Sequence, residues 1–251
     1  NRHTLVTQLR EKIDACRGHV SKTERTIQQI TSPEIKRSDS QALLSKPALM
    51  LKDDNGKEPQ IIAIGISTGG PKALQNFLPQ LCQLTQLPVM IVQHMPPKFT
   101  KSLAQSLNRV CQHEVCEVEG KMVIEPRHVY IAPGGFHLLV RLENGIPVLH
   151  LSEELPENGF RPSADVLFRS VAASLKSQAI GVIMTGMGSD GMRGLRAMKR
   201  QGAFIVAQDE ASSVVWGMPR SAIEVGVVDH VAPLSEMAEV IAQRITIYKS
   251  R

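Results

Sequence analysis

The stretch Ile61-Ile62-Ala63-Ile64-Gly65-Ile66-Ser67-Thr68-Gly69-Gly70-Pro71 decides the fold class. Six residues without a polar break read as a strand buried on both faces, the mark of a parallel sheet covered by helices. A turn of Ser, Thr and Gly follows, where backbone segments crowd and small residues are needed. Pro71 then fits the first turn of a helix, because an N–H there would have no helical partner anyway.

The same alternation runs outward from this unit. Val89–Gln93, Val129–Ala132, Ile180–Thr185 and Phe204–Ala207 are further short apolar runs, rich in Val and Ile. Helical patterns stand between them at Pro71–Leu84, Thr100–Arg109, Ala164–Lys176 and Met192–Gln201. The expected fold is α/β: a doubly wound, mostly parallel sheet with helices on both faces. A small antiparallel hairpin interrupts it, with His137–Glu143 and Ile146–Ser152 joined across Asn144-Gly145.

Before this domain the chain has a different character. Residues 3–30 place Val6, Leu9, Ile13, Cys16 and Val20 near helical spacing, and residues 31–59 are polar and broken by prolines. A helix followed by a linker over residues 1–58, then one domain over 59–251, is the expected division. Of the net charge of +5, residues 1–60 carry 11 basic against 8 acidic side chains, so no dense basic stripe is left for nucleic acid. One Trp, two Tyr and six Phe are also few for stacking bases. No apolar run reaches the roughly 18 residues of a membrane span. The four cysteines read as reduced thiols. Cys111, His113 and Cys116 lie close together, but no second Cys/His pair completes a tetrahedral set, so no metal and no cofactor is expected.

Two glycine turns compete for the chemistry. Gly65-Ile66-Ser67-Thr68-Gly69 satisfies G-x-S-x-G, a strand-to-helix elbow that lifts a serine hydroxyl above the sheet edge. There the helix N-terminus offers free N–H groups to a developing oxyanion. Ser67 as a simple helix cap, or the loop as a phosphate cradle, are the alternatives. Gly186-Met187-Gly188-Ser189-Asp190-Gly191 satisfies G-x-G-x-x-G, with Asp209 further along at the end of the next strand. That pattern suits a nucleotide-binding oxidoreductase. Against it, the Asp190 charge would repel a pyrophosphate, and too little chain follows for a two-half dinucleotide domain.

A serine nucleophile needs a base, and the base needs an orienting acid. His94 directly follows the strand Val89–Gln93, and Asp190 follows Ile180–Thr185. Both therefore belong at the carboxyl edge of the sheet with Ser67. A hydrogen-bonded loop histidine and a helix N-cap aspartate are the competing readings. The order Ser…His…Asp differs from the Ser…Asp…His of α/β-hydrolases.

At these residues the sequence resembles the catalytic domain of CheB-type chemotaxis protein-glutamate methylesterases, from about Pro59 to Arg244. The resemblance rests on Ile64–Gly70, Gln93-His94-Met95-Pro96-Pro97, Tyr130–Gly134, Arg161–Phe168, Gly186–Gly191 and Gln208–Ser212 with Trp216–Pro219. It implies a catalytic triad of Ser67, His94 and Asp190. It also implies hydrolysis of glutamyl methyl esters on the cytoplasmic helical region of chemoreceptors, with deamidation of receptor glutamines. By the same resemblance residues 1–30 match the last helix of a receiver domain that is itself absent, and residues 31–59 its linker. A histidine kinase would act through that receiver, in a cytoplasmic, monomeric protein. The oxyanion candidates are the backbone N–H groups near Thr68 and Met187. Arg161 reads either as a site for acidic receptor side chains or as one half of a structural ion pair. Met95, Met187 and Met218 read as an apolar rim, with core packing the competing role of each.

Overall fold

The computed structural model describes residues 58–249. The terminal helix and linker expected over residues 1–58 lie, up to residue 57, outside the described residues.

The opening run forms β1 (Ile61–Ile66), with every residue buried. It runs parallel to β2 (Val89–Gln93) on one side and to β8 (Ala179–Ile183) on the other. Seven parallel strands follow the order β10-β9-β8-β1-β2-β5-β3. The outer members are β5 (His128–Ile131), β3 (Glu114–Glu117), β9 (Phe204–Gln208) and β10 (His230–Ala232). From β1 the chain winds outward through β2, then returns to the other flank of β1 with β8. The order therefore reverses beside β1, and the loops leaving the carboxyl ends of β1 and β8 diverge there into a crevice.

The crossover helices cover both faces. α1 (Gly70–Leu84), α2 (Phe99–Asn108) and α6 (Met237–Lys249) form one layer, in which α1 packs on both of the others. α3 (Ala164–Leu175), α4 (Met192–Arg200) and α5 (Gly217–Glu224) form the second, with α4 packed on both α3 and α5. α1 buries Ala73, Leu74, Phe77, Leu78 and Leu81, an i, i+3/i+4 stripe facing the sheet. α3 does the same with Leu167, Phe168, Val171 and Leu175.

The hairpin forms as its sequence predicts. β6 (His137–Glu143) pairs with β7 (Ile146–Ser152) across Asn144 and Gly145, both with positive φ as a two-residue turn requires. A third strand, β4 (Met122–Val123), joins β7 and extends the hairpin into a small sheet that packs on α3 through β6. Among the described residues no helix is long and apolar enough to cross a membrane.

Candidate active site

The turn after β1 places Ser67 at the head of α1. Gly69 is the N-cap of α1 with φ 81°, and a side chain there would run into Val214, so glycine is needed on both counts. Backbone contacts fix the serine. Its N–H donates to Thr185 O at 2.9 Å, and its carbonyl accepts from Gly70 N–H and from Gln93 Nε2, each at 2.9 Å. Gln93 is buried at the end of β2 and also holds His94 O at 3.1 Å, so one amide clamps the loops that carry Ser67 and His94.

His94 points its Nε2 at Asp190 Oδ2, 2.7 Å away, and both side chains are almost wholly buried. Two further donors reach Asp190 at 2.7 Å: Ser163 Oγ on Oδ1 and Ala164 N–H on Oδ2. Asp165 N–H is 3.2 Å from Oδ1. Burial alone would raise the Asp190 carboxyl, but hydrogen bonds from His94, Ser163 and Ala164 outweigh it and hold the group below the usual carboxylate range. Asp190 is then an ionised acceptor, which keeps the imidazole proton on Nε2. The lone pair is left on Nδ1, which is buried and has no protein partner among the described residues. The nitrogen left to act as a base is thus Nδ1, opposite to the one used in chymotrypsin-type triads.

Ser67 and His94 line one cleft of about 350 Å³ with Met95, Phe160 and Arg161. Gly186 packs against Ser67 from the β8 side. A Cβ at Gly186 would lie 2.8 Å from Ser67 Cβ and 2.3 Å from Met218 Sδ, so the first glycine of the second turn is required by packing against the serine. Its N–H is already committed to Val215 O at 2.8 Å. Asp209, the residue a ribose would need, is folded into its own loop, accepting from Ser212 N–H at 3.0 Å and Ser212 Oγ at 2.5 Å. The dinucleotide reading of this turn therefore loses its groups to other contacts.

The remaining candidates divide. Among the described residues, neither Thr68 N–H nor Met187 N–H donates to a protein acceptor, which leaves both free for an oxyanion. Met187 is 72% exposed, whereas Met218 is wholly buried under Gly186. Met218 is thus a core residue and not part of the rim, its side chain filling the space that a Cβ at Gly186 would take. Among the described residues Arg161 makes no ion pair; its Nη1 donates to Glu153 O at 2.8 Å and Glu154 O at 3.1 Å, holding it to the loop before α3. Among the described residues no group of three or more His, Cys, Asp or Glu is placed to hold a metal ion.

Besides Gln93 and Ser163, two further residues at the site are absent from the expectations. Phe160 stacks on the His94 ring with centroids 3.9 Å apart and planes 6° from parallel. It follows a tight turn, Glu157 to Phe160, closed by two backbone hydrogen bonds, with positive φ at Asn158 and Gly159. That Asn-Gly pair was the available signal. The second is Asp165 in the first turn of α3, which accepts from Gly194 N–H in the first turn of α4 at 2.6 Å and from Asn158 Nδ2 at 3.2 Å. Asp190, just before α4, caps α3, and Asp165, in α3, caps α4. The two helix N-termini are thus cross-capped by buried carboxylates. Burial raises the Asp165 carboxyl, against the lowering effect of the Gly194 N–H. Replacing Asp165 with alanine orphans that buried N–H and is expected to lower unfolding free energy by about 2–4 kcal/mol, read by denaturant titration. A loss below about 0.5 kcal/mol would remove the cross-cap from the account.

With this geometry in place, comparison with known proteins decides the family. A family model described as CheB methylesterase matches residues 62–241. The chain belongs to the CheB methylesterase family. A protein-glutamate methylesterase/protein-glutamine glutaminase of Desulfotalea psychrophila is 48% identical over 191 residues, which are 75% of this chain and 52% of that protein. A protein of the same description from Trichodesmium erythraeum is 42% identical over 186 residues, 74% of this chain and 53% of its own length. The crystal structure of the Thermotoga maritima CheB methylesterase catalytic domain superposes with a TM-score of 0.72 at 40% identity, covering 74% of this chain and 98% of that one. The chain spans about half the length of the full relatives it matches. Membership of the CheB methylesterase family confirms the doubly wound α/β fold.

Proposed function

We propose that this chain is a serine hydrolase that removes methyl groups from glutamyl methyl esters of chemoreceptors and deamidates receptor glutamines. The observation that carries the reading is the 2.7 Å bond from His94 Nε2 to an ionised, buried Asp190, with Ser67 in the same cleft. In the first half-reaction His94 Nδ1 takes the Ser67 proton as Oγ attacks the ester carbonyl. The imidazolium that forms is stabilised by Asp190 and gives its proton to the departing methoxide oxygen, which leaves as methanol. Water then attacks the glutamyl-serine ester with His94 as base again, releasing the glutamate carboxylate and restoring Ser67. A glutamine side chain enters the same route and leaves ammonia, since both substrates pass through one acyl-enzyme.

The Thr68 and Met187 N–H groups are the oxyanion donors of this reading, each worth roughly 3–4 kcal/mol in the transition state. Met95 and Met187 supply adaptable apolar contact to a helical substrate. Arg161, held at the cleft wall, supplies positive charge for acidic receptor side chains. In the same reading a histidine kinase acts through a receiver domain, and the protein works as a monomer in the cytoplasm.

The test is methanol release from methylated receptor fragments. Release that saturates with receptor and is blocked by a serine-directed phosphonate supports the proposal; a chain that binds receptor but neither releases methanol nor reacts with phosphonate overturns it. The Phe160 stack gives a graded test. Removing the ring in Phe160→Ala frees one face of the imidazole and is expected to lower kcat roughly three- to tenfold. An unchanged kcat would reduce Phe160 to a packing residue.

A further inference from the structure

We propose that Ser163 is a positioning residue for this reaction, acting on the histidine through Asp190; the inference rests on the hydrolase reading above. Ser163 stands at the N-cap of α3 with extended backbone angles, φ −113° and ψ 136°. A serine there ordinarily turns its oxygen back to accept from the first-turn N–H groups. Ser163 makes no such bond. Its hydroxyl donates outward to Asp190 Oδ1 at 2.7 Å, and the N–H groups of Ala164 and Asp165 go to Asp190 instead. Asp190 has taken over the capping, and the serine hydroxyl is spent on orienting Asp190.

The two carboxylate oxygens are divided by this arrangement. Oδ2 serves His94 Nε2 and Ala164 N–H, both at 2.7 Å, while Oδ1 has the Ser163 hydroxyl and the longer, 3.2 Å bond from Asp165 N–H. Without the hydroxyl, Oδ1 keeps only that longer bond, and the carboxylate is free to swing about its terminal torsion away from the imidazole. Ser163 is itself held still. It is wholly buried, and its N–H donates to His137 Nδ1 at 3.2 Å, while His137 Nε2 bonds Leu155 O at 3.1 Å. The site asks for a donor of this size. Alanine has none, and aspartate would set a second carboxylate against the first.

The test compares Ser163→Ala and Ser163→Cys with the unaltered chain. Methanol release gives kcat and KM, and proton NMR follows the resonance of the proton between His94 Nε2 and Asp190 Oδ2. In Ser163→Ala, kcat is expected to fall about tenfold with KM unchanged, and the resonance to move. Ser163→Cys keeps the shape and a weak donor, so it should lie between the two. An unmoved resonance in Ser163→Ala overturns the proposal, whether kcat holds or falls together with stability. If the unaltered chain releases no methanol yet the resonance moves in Ser163→Ala, the hydrolase reading falls while the positioning bond stands. If the unaltered chain is active and neither kcat nor resonance responds, the positioning role falls alone.

Discussion

Replacing Ser67 with alanine is expected to cut methanol release by roughly 10,000-fold or more while the domain stays folded. Both halves of that expectation come from the same bonds. Among the described residues, every hydrogen bond that fixes Ser67 runs through its backbone: N–H to Thr185 O, and carbonyl from Gly70 N–H and Gln93 Nε2. Alanine keeps all of them, and its Cβ occupies the space already shaped by Gly186. Unfolding free energy should therefore change by no more than about 0.5 kcal/mol. Only Oγ is lost, and with it the nucleophile of the covalent route. The measurement is methanol release and phosphonate labelling beside a thermal melt. Retained activity in a folded variant would remove Ser67 from the mechanism.

That Ser67, His94 and Asp190 were legible in the sequence follows from where they sit. Each comes just after an apolar run that reads as a buried parallel strand, so strand direction alone sends all three to one edge. The runs over β1 and β2 are uninterrupted Val/Ile/Met-rich segments, and their boundaries match the structure residue for residue. The edge strands are a different matter. β3 is Glu-Val-Cys-Glu with only Val115 fully buried, and its pairing partner β5 lies a loop away, so nothing local marks it. β4, at two residues, exists only because β7 offers it an edge.

The site itself was read as positions, and its orientation was not. Nothing in a sequence says which imidazole nitrogen meets Asp190; in the structure it is Nε2. Phe160 arrives on a loop without periodicity, held by long-range polar contacts. Arg169 pairs with Glu157, and Asn158 reaches Asp165. Met218 was open between two readings. A methionine beside a glycine turn is compatible with a rim or a core, and only the hole above Gly186 selects the core.

The second large effect is expected at Asp190. Four donors converge on its two oxygens: His94 Nε2, Ser163 Oγ and Ala164 N–H, with Asp165 N–H at the longer distance. Asparagine offers one acceptor and two donors, so either way round a donor meets a donor. With its NH₂ toward the Oδ2 side it opposes both Ala164 N–H and the protonated Nε2, which drives the imidazole to the tautomer that cannot accept from Ser67. With its NH₂ toward the Oδ1 side it opposes Asp165 N–H, and the negative charge that stabilises the imidazolium is still gone. Asp190→Asn is therefore expected to slow turnover roughly 1,000- to 10,000-fold and to cost about 1–3 kcal/mol of stability.

A pH titration separates this from a simple packing defect. The folded Asp190 carboxyl lies below its ordinary value of 3.8, so its contribution to stability is present above that value and is lost as pH falls through the depressed one. Asp190→Asn removes that contribution, and its stability should fall less steeply than the parent's over the same acid range. A variant with near-normal turnover would leave Asp190 as the cap of α3 and nothing more. One with low turnover but an acid profile parallel to the parent's would mean that the carboxylate is not the ionised acceptor on which the His94 tautomer depends.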